Sequence, residues 1–120
     1  MGMISKNTLG KFFKAGDTII KQGTTGNCLY IIQKGSVEIL EENETDEIKV
    51  AELKKKDFFG EMSLFEKDVR SCTVKALSDV KVLTLDKRSF YKTIQKDPSL
   101  AFRLLEKMSN RIRKMNKKLS

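Results

Sequence analysis

Leu29-Tyr30-Ile31-Ile32-Gln33-Lys34-Gly35-Ser36-Val37-Glu38-Ile39-Leu40 reads as two strands and the turn between them. Leu29 to Ile32 has little polar interruption, the pattern of a strand covered on both faces. Lys34-Gly35-Ser36 reverses the chain. In the run that follows, Val37 and Ile39 alternate with Glu38, which predicts one wet face and one dry one.

The same texture extends in both directions. Leu9 to Phe13 is a strand, Ala15-Gly16-Asp17 turns into a second strand over Thr18 to Lys21, and Gln22 to Asn27 is turn-rich, with glycines suited to positive φ. Beyond Leu40, the acidic Glu41 to Glu47 is a hairpin tip. Its return strand, Ile48 to Leu53, is expected to point Ile48, Val50 and Leu53 inward. Ser71 to Ala76 and Val80 to Leu85 are two further strands. From Leu9 to Leu85 no helical period lasts a dozen positions, which is the signature of a sandwich or barrel.

After Leu85 the period changes. Asp86 is placed to cap a helix in which Phe90 and Ile94 lie one turn apart, ending near Asp97. Asp97 as N-cap and Pro98 at the first helical position restart it. Ala101, Leu105, Met108, Ile112, Met115 and Leu119 then recur at heptad spacing. That seam serves either to pack the helix on its own domain or to pair it with a second copy.

At 120 residues the chain has the length of one domain. It contains no apolar run near the ~18 residues a membrane helix needs, and the reading is a soluble, cytoplasmic protein. With no histidine, His-type metal sites and His-based acid-base catalysis are excluded. Cys28 and Cys72 sit in β-leaning, apolar text and are expected to be buried free thiols. The net charge of +8 is concentrated at one end. From Arg103 to Ser120, seven basic side chains face the single acid Glu106.

One segment carries chemistry. Asp57-Phe58-Phe59-Gly60-Glu61-Met62-Ser63-Leu64, followed by Val69-Arg70-Ser71-Cys72-Thr73-Val74, puts an acid and a base nine positions apart around a glycine. A glycine lets backbone amides approach a ligand, a following helical turn presents N–H groups, and a guanidinium closes bidentately on a phosphate. On spacing alone, an ion pair between Glu61 and Arg70 across a loop accounts for the pattern equally well. Lys54-Lys55-Lys56 just upstream is either a solvated turn or a positive rim for an anion.

In these segments the chain resembles the cyclic nucleotide-binding domain family, of the catabolite activator protein and protein kinase A regulatory subunit type. The matching pieces are Ala15-Gly16-Asp17, the Gly23 to Gly26 turn, Lys34-Gly35-Ser36-Val37, the run from Phe59 to Leu64, and Arg70-Ser71-Cys72-Thr73-Val74. The resemblance implies an eight-stranded β jelly roll over about residues 9–86, with flanking helices and a C-terminal helix over about 87–119, together one domain spanning 1–120. It implies that the backbone amide of Gly60 meets the ligand and that Glu61 accepts from the ribose 2′-hydroxyl. It also implies that Arg70 pairs with the cyclic phosphate, supported by Ser71. Phe59, Met62, Ser63 and Cys72 complete the binding segment, and Asn116 falls where the family covers the base. Three departures stand out: the lysine triplet replaces a commonly glycine-rich turn, no proline precedes Arg70, and Cys72 stands where alanine is common.

The expectation is therefore a non-catalytic sensor that binds cAMP, ahead of cGMP because serine rather than threonine follows Arg70. It would signal through its last helix and associate as a homodimer there, without specific nucleic-acid binding of its own. The alternatives are the sensor part of a transcription regulator whose DNA-binding domain lies elsewhere, and a ligand-free dimerisation module of the same fold.

Overall fold

A computed structural model describes residues 10–61 and 68–119. Ten strands precede two helices: β1 (Lys11–Phe13), β2 (Thr18–Ile20), β3 (Thr25–Gly26), β4 (Cys28–Lys34), β5 (Ser36–Glu42), β6 (Glu47–Lys54), β7 (Phe58–Phe59), β8 (Asp68–Val69), β9 (Thr73–Ala76), β10 (Val80–Asp86), α1 (Lys87–Lys96) and α2 (Ser99–Leu119). Eight strands form two four-stranded antiparallel sheets, β1-β10-β4-β7 and β2-β9-β5-β6, the two layers of the expected jelly roll. The remaining two, β3 and β8, pair as a short ribbon.

The uninterrupted apolar text of β4 is explained by its position between two cores. Ile32 points between the sheets with Val37, Val74 and Val82, whereas Leu29 points outward to Phe58, Leu83 and Leu85, where α2 lays Leu100 and Leu104 over them. The same division of faces holds on β10, where Val80 and Val82 look inward and Leu83 and Leu85 outward. Side chains as fully buried as Leu29 and Phe58 each contribute about 1.5–3 kcal/mol through removal of apolar surface from water.

Strand β6 corrects the sequence expectation. Leu53 lies opposite Val37 and packs on the inner core, but the register shifts after Ala51, which pairs with Ile39, and Val50 is left without a cross-strand partner before Lys49 pairs with Leu40. Val50 in this bulge and Ile48 beyond it are about half exposed, at 52% and 51%. Of the three, Leu53 packs on the core.

The helix caps are partly as expected. The carboxylate of Asp86 accepts from the backbone N–H of Ser89 at 2.7 Å, and this bond lowers its pKa from the ordinary 3.8. Because the folded-state pKa is depressed, the cap stabilises α1 above the carboxylate's ordinary range and its contribution is lost as pH falls through the lowered value. Asp97 ends α1 as expected, donating its N–H to Thr93 O, and α2 begins at Ser99, one residue later than the proline signal indicates.

The face of α2 that docks on the domain is Leu100, Leu104 and Met108. Of the predicted seam, Leu105 is turned away and is 66% exposed beside Phe102 at 68%, while the side chains of Ile112, Met115 and Leu119 lie outside the described residues. The apolar surface of the helix is wide enough for a docked stripe and an outward one.

Lys56 holds φ +80, a left-handed conformation that glycine adopts at little cost and an L side chain does not. Relief of that strain outweighs the extra freedom of glycine in the unfolded chain, so Lys56→Gly is expected to stabilise the domain by about 0.5–1 kcal/mol. A higher urea midpoint at unchanged slope is the readout.

Candidate functional site: an oriented guanidinium

Arg70 is fixed first through its backbone. Its N–H donates to Thr24 O at 2.7 Å and its carbonyl accepts from the N–H of Gly23 at 2.9 Å, while the adjacent β3–β8 ribbon pairs Thr25 with Val69. The turn before β4 and the strand before Arg70 thus form one platform. Gly23 serves it with φ +89.

The guanidinium then runs under Gly26. Nη2 donates to Cys28 O at 3.0 Å, Nη1 donates to Gly60 O at 3.3 Å, and the group lies 5.9 Å from the centre of the Tyr30 ring. Two carbonyls and an aromatic face set the plane of the fork, which favours bidentate recognition over a mobile point charge. A Cβ on Gly26 would stand 2.3 Å from Nε and Nη2, so close approach requires this glycine. Positive φ, the reason expected from sequence, applies to Gly23 and not to Gly26.

Gly60 combines both reasons. Its φ is +81, and a Cβ there would meet Arg70 Nη1 and Cys28 O, each at 2.9 Å. Glu61 follows, half-buried. The run therefore brings Gly60 and Arg70 into contact through the Gly60 carbonyl. Phe59 serves the core: it is 4% exposed, and its ring stacks on Tyr30 at 5.0 Å between centroids and 6° between planes. Ser71 is exposed and Cys72 half-buried, both just ahead of β9. Met62 and Ser63 lie outside the described residues, and Asn116 belongs to the last turns of α2, where its side chain also does.

Neither cysteine is buried as expected; both are half-buried free thiols. Partial burial and the nearby Asp86 raise the Cys28 thiol above its usual range, making it a poor nucleophile at neutral pH. A cavity of about 460 Å³ opens beside Arg70, bounded by Lys21, Thr24, Asn27, Cys28 and Tyr30.

The residues missed from sequence are those that orient Arg70: Gly26, Thr24, Tyr30 and the carbonyl of Cys28. Their only signal was the glycine-rich turn itself, which lies more than forty residues before the arginine it supports. Gly26→Ala is expected to leave the fold intact, since the flexible end of Arg70 yields. It should displace the fork and weaken anion binding about tenfold. Circular dichroism together with ligand titration measures both.

With this geometry, the model of the cyclic nucleotide-binding domain matches residues 10–97. The chain belongs to the cyclic nucleotide-binding domain family. It is 36% identical over 88 residues to the cGMP-dependent protein kinase, isozyme 1, of Drosophila melanogaster, covering 70% of this chain and 12% of the kinase. It is 35% identical over 112 residues to the cAMP-activated global transcriptional regulator Vfr of Pseudomonas aeruginosa, covering 89% of this chain and 52% of Vfr. This domain therefore spans about half the length of its bacterial relatives and far less of the kinases. Among solved structures, the Thermus thermophilus catabolite activator protein superposes with a TM-score of 0.80 at 28% identity, covering 92% of this chain and 52% of that one.

Proposed function

We propose that this domain is a cAMP sensor in which Arg70 pairs with the cyclic phosphate, Gly60 and Ser71 add donors to it, and Glu61 accepts from the ribose 2′-hydroxyl. The observation that carries the reading is the guanidinium held on the carbonyls of Cys28 and Gly60, inside a family defined by cyclic nucleotide binding. A cyclic phosphate offers one full charge and two free oxygens, which a planar fork matches, and a carboxylate is the strongest acceptor for a ribose hydroxyl. The domain acts as a regulatory module and not as a catalyst.

α2 is the output element. It lies on the outer core through Leu100 and Leu104, and Lys107 binds Asp57, the first residue of the binding segment. A nucleotide moves the helix only as far as it binds one helix position better than another. Phe102 and Leu105 on the outward face make a homodimer contact, and the family resemblance assigns the base to Asn116. Relatives include both cAMP-activated regulators and cGMP-dependent kinases, so nucleotide choice is the point to test.

The test is calorimetric titration with cAMP and cGMP while sedimentation follows the oligomeric state. Saturable binding with cAMP tighter, and a dimer that Leu105→Glu dissociates without unfolding, is the expected result. Equal or absent affinity for both nucleotides overturns the assignment. A second reading, a sensor within a larger transcription regulator, is favoured by the match to Vfr over 89% of this chain.

A further inference from the structure

A second cavity, of about 380 Å³, lies between the outer face of the β4-β7-β10 sheet and α2, within the ~300–1,000 Å³ range of small-molecule sites. Its floor is apolar: Phe58, Leu83, Leu100 and Leu104. Its mouth is basic, formed by Lys55, Lys56, Arg103 and Lys107, with Asp97 as the acid among the lining residues. Lys107 is engaged by Asp57, and Arg103 reaches Asp97 only at 4.0 Å. Lys55 and Lys56, in the turn between β6 and β7, have no acidic partner among the described residues. Lys56 keeps its place at φ +80, where glycine would be more comfortable. A backbone cost borne by a cation at the mouth of an apolar cavity points to a use for that cation.

We propose that this cavity binds a small amphipathic anion, a medium-chain carboxylate. Its chain lies on Phe58, Leu83, Leu100 and Leu104, and its carboxylate meets Lys55 and Lys56. A carboxylate matches Lys55 and Lys56, which carry no acidic partner among the described residues, and an alkyl chain matches the apolar floor. Such a ligand would tie the turn before the Phe59-Gly60-Glu61 segment to α2. If the nucleotide reading above holds, the carboxylate and the nucleotide therefore affect each other's affinity reciprocally.

The experiment titrates decanoate, below its micelle concentration, into the full chain by calorimetry and by NMR of leucine methyls. Saturable binding with shifts at Leu100 and Leu104 is expected, weakened about tenfold with decanol in place of decanoate and about tenfold in Lys55→Gln/Lys56→Gly, which should remain folded. Arg70→Leu should bind decanoate as the natural chain does, which separates this site from the nucleotide reading. The proposal is overturned by absent saturation, by equal binding of decanol, by an unchanged affinity in the double variant, by loss of decanoate binding in Arg70→Leu, or by binding only to anionic lipid vesicles.

Discussion

Arg70→Leu lowers cyclic nucleotide affinity by about a hundredfold, some 3 kcal/mol, because it removes a charged fork whose orientation the domain has already fixed. The fork is set by Cys28 O at 3.0 Å, Gly60 O at 3.3 Å and the Tyr30 ring. Little ordering entropy is then left for the moment of binding, so most of the interaction appears as affinity. Leucine keeps the apolar stem and the backbone bonds to Gly23 and Thr24, so the fold should survive. It leaves two part-buried carbonyls without those donors, which should cost the domain about 1–2 kcal/mol. Arg70→Lys separates charge from geometry: it retains the cation without the fork, and its affinity should fall between the two. Calorimetry with cAMP, alongside urea unfolding of each variant, measures both effects. Undiminished affinity in Arg70→Leu would remove Arg70 from the site.

The largest expected loss of stability lies at Gly35→Ala, about 2–5 kcal/mol. Gly35 turns β4 into β5 at φ +87, and a Cβ there would sit 2.3 Å from the backbone oxygen of Asp79 and 2.9 Å from Ser78 Oγ. The left-handed conformation alone costs an L residue about 1–2 kcal/mol, and backbone displacement adds about 1–3 more. The clash is with main chain. The β9–β10 turn must therefore move, and with it the bonds from Ser36 N to Ser78 Oγ and from Leu77 N to Ser36 O. Gly16→Ala is the control, since Gly16 has φ +92 but nothing within 4 Å of a Cβ, so only the conformational cost of about 1–2 kcal/mol applies. Similar urea midpoints for the two variants would show that the Gly35 turn is not packed as described.

Legibility in the sequence followed the range of the interaction. Strand or helix is decided by neighbours two to four positions apart, and Val37-Glu38-Ile39 or Phe90 and Ile94 display those periods directly. The inward set of β6 was not legible, because a bulge at Val50 breaks the alternation between Leu53 and Ile48, and only the pairing with β5 reveals it. On α2, Leu100 and Leu104 rather than Leu105 dock, because the helix meets the sheet where Phe58 and Leu83 already present a surface.

The sequence by itself determined a β roll followed by helices, the absence of histidine chemistry, and a segment with Gly60, Glu61 and Arg70 whose spacing suits an anion site and an ion pair equally. Residue types and local periods are sufficient for those. The tertiary structure alone decided what Arg70 rests on. Thr24, Gly26, Cys28 and Tyr30 lie forty or more positions earlier, and only the closing of the two sheets and the β3–β8 ribbon brings their carbonyls, ring and missing side chain against the guanidinium.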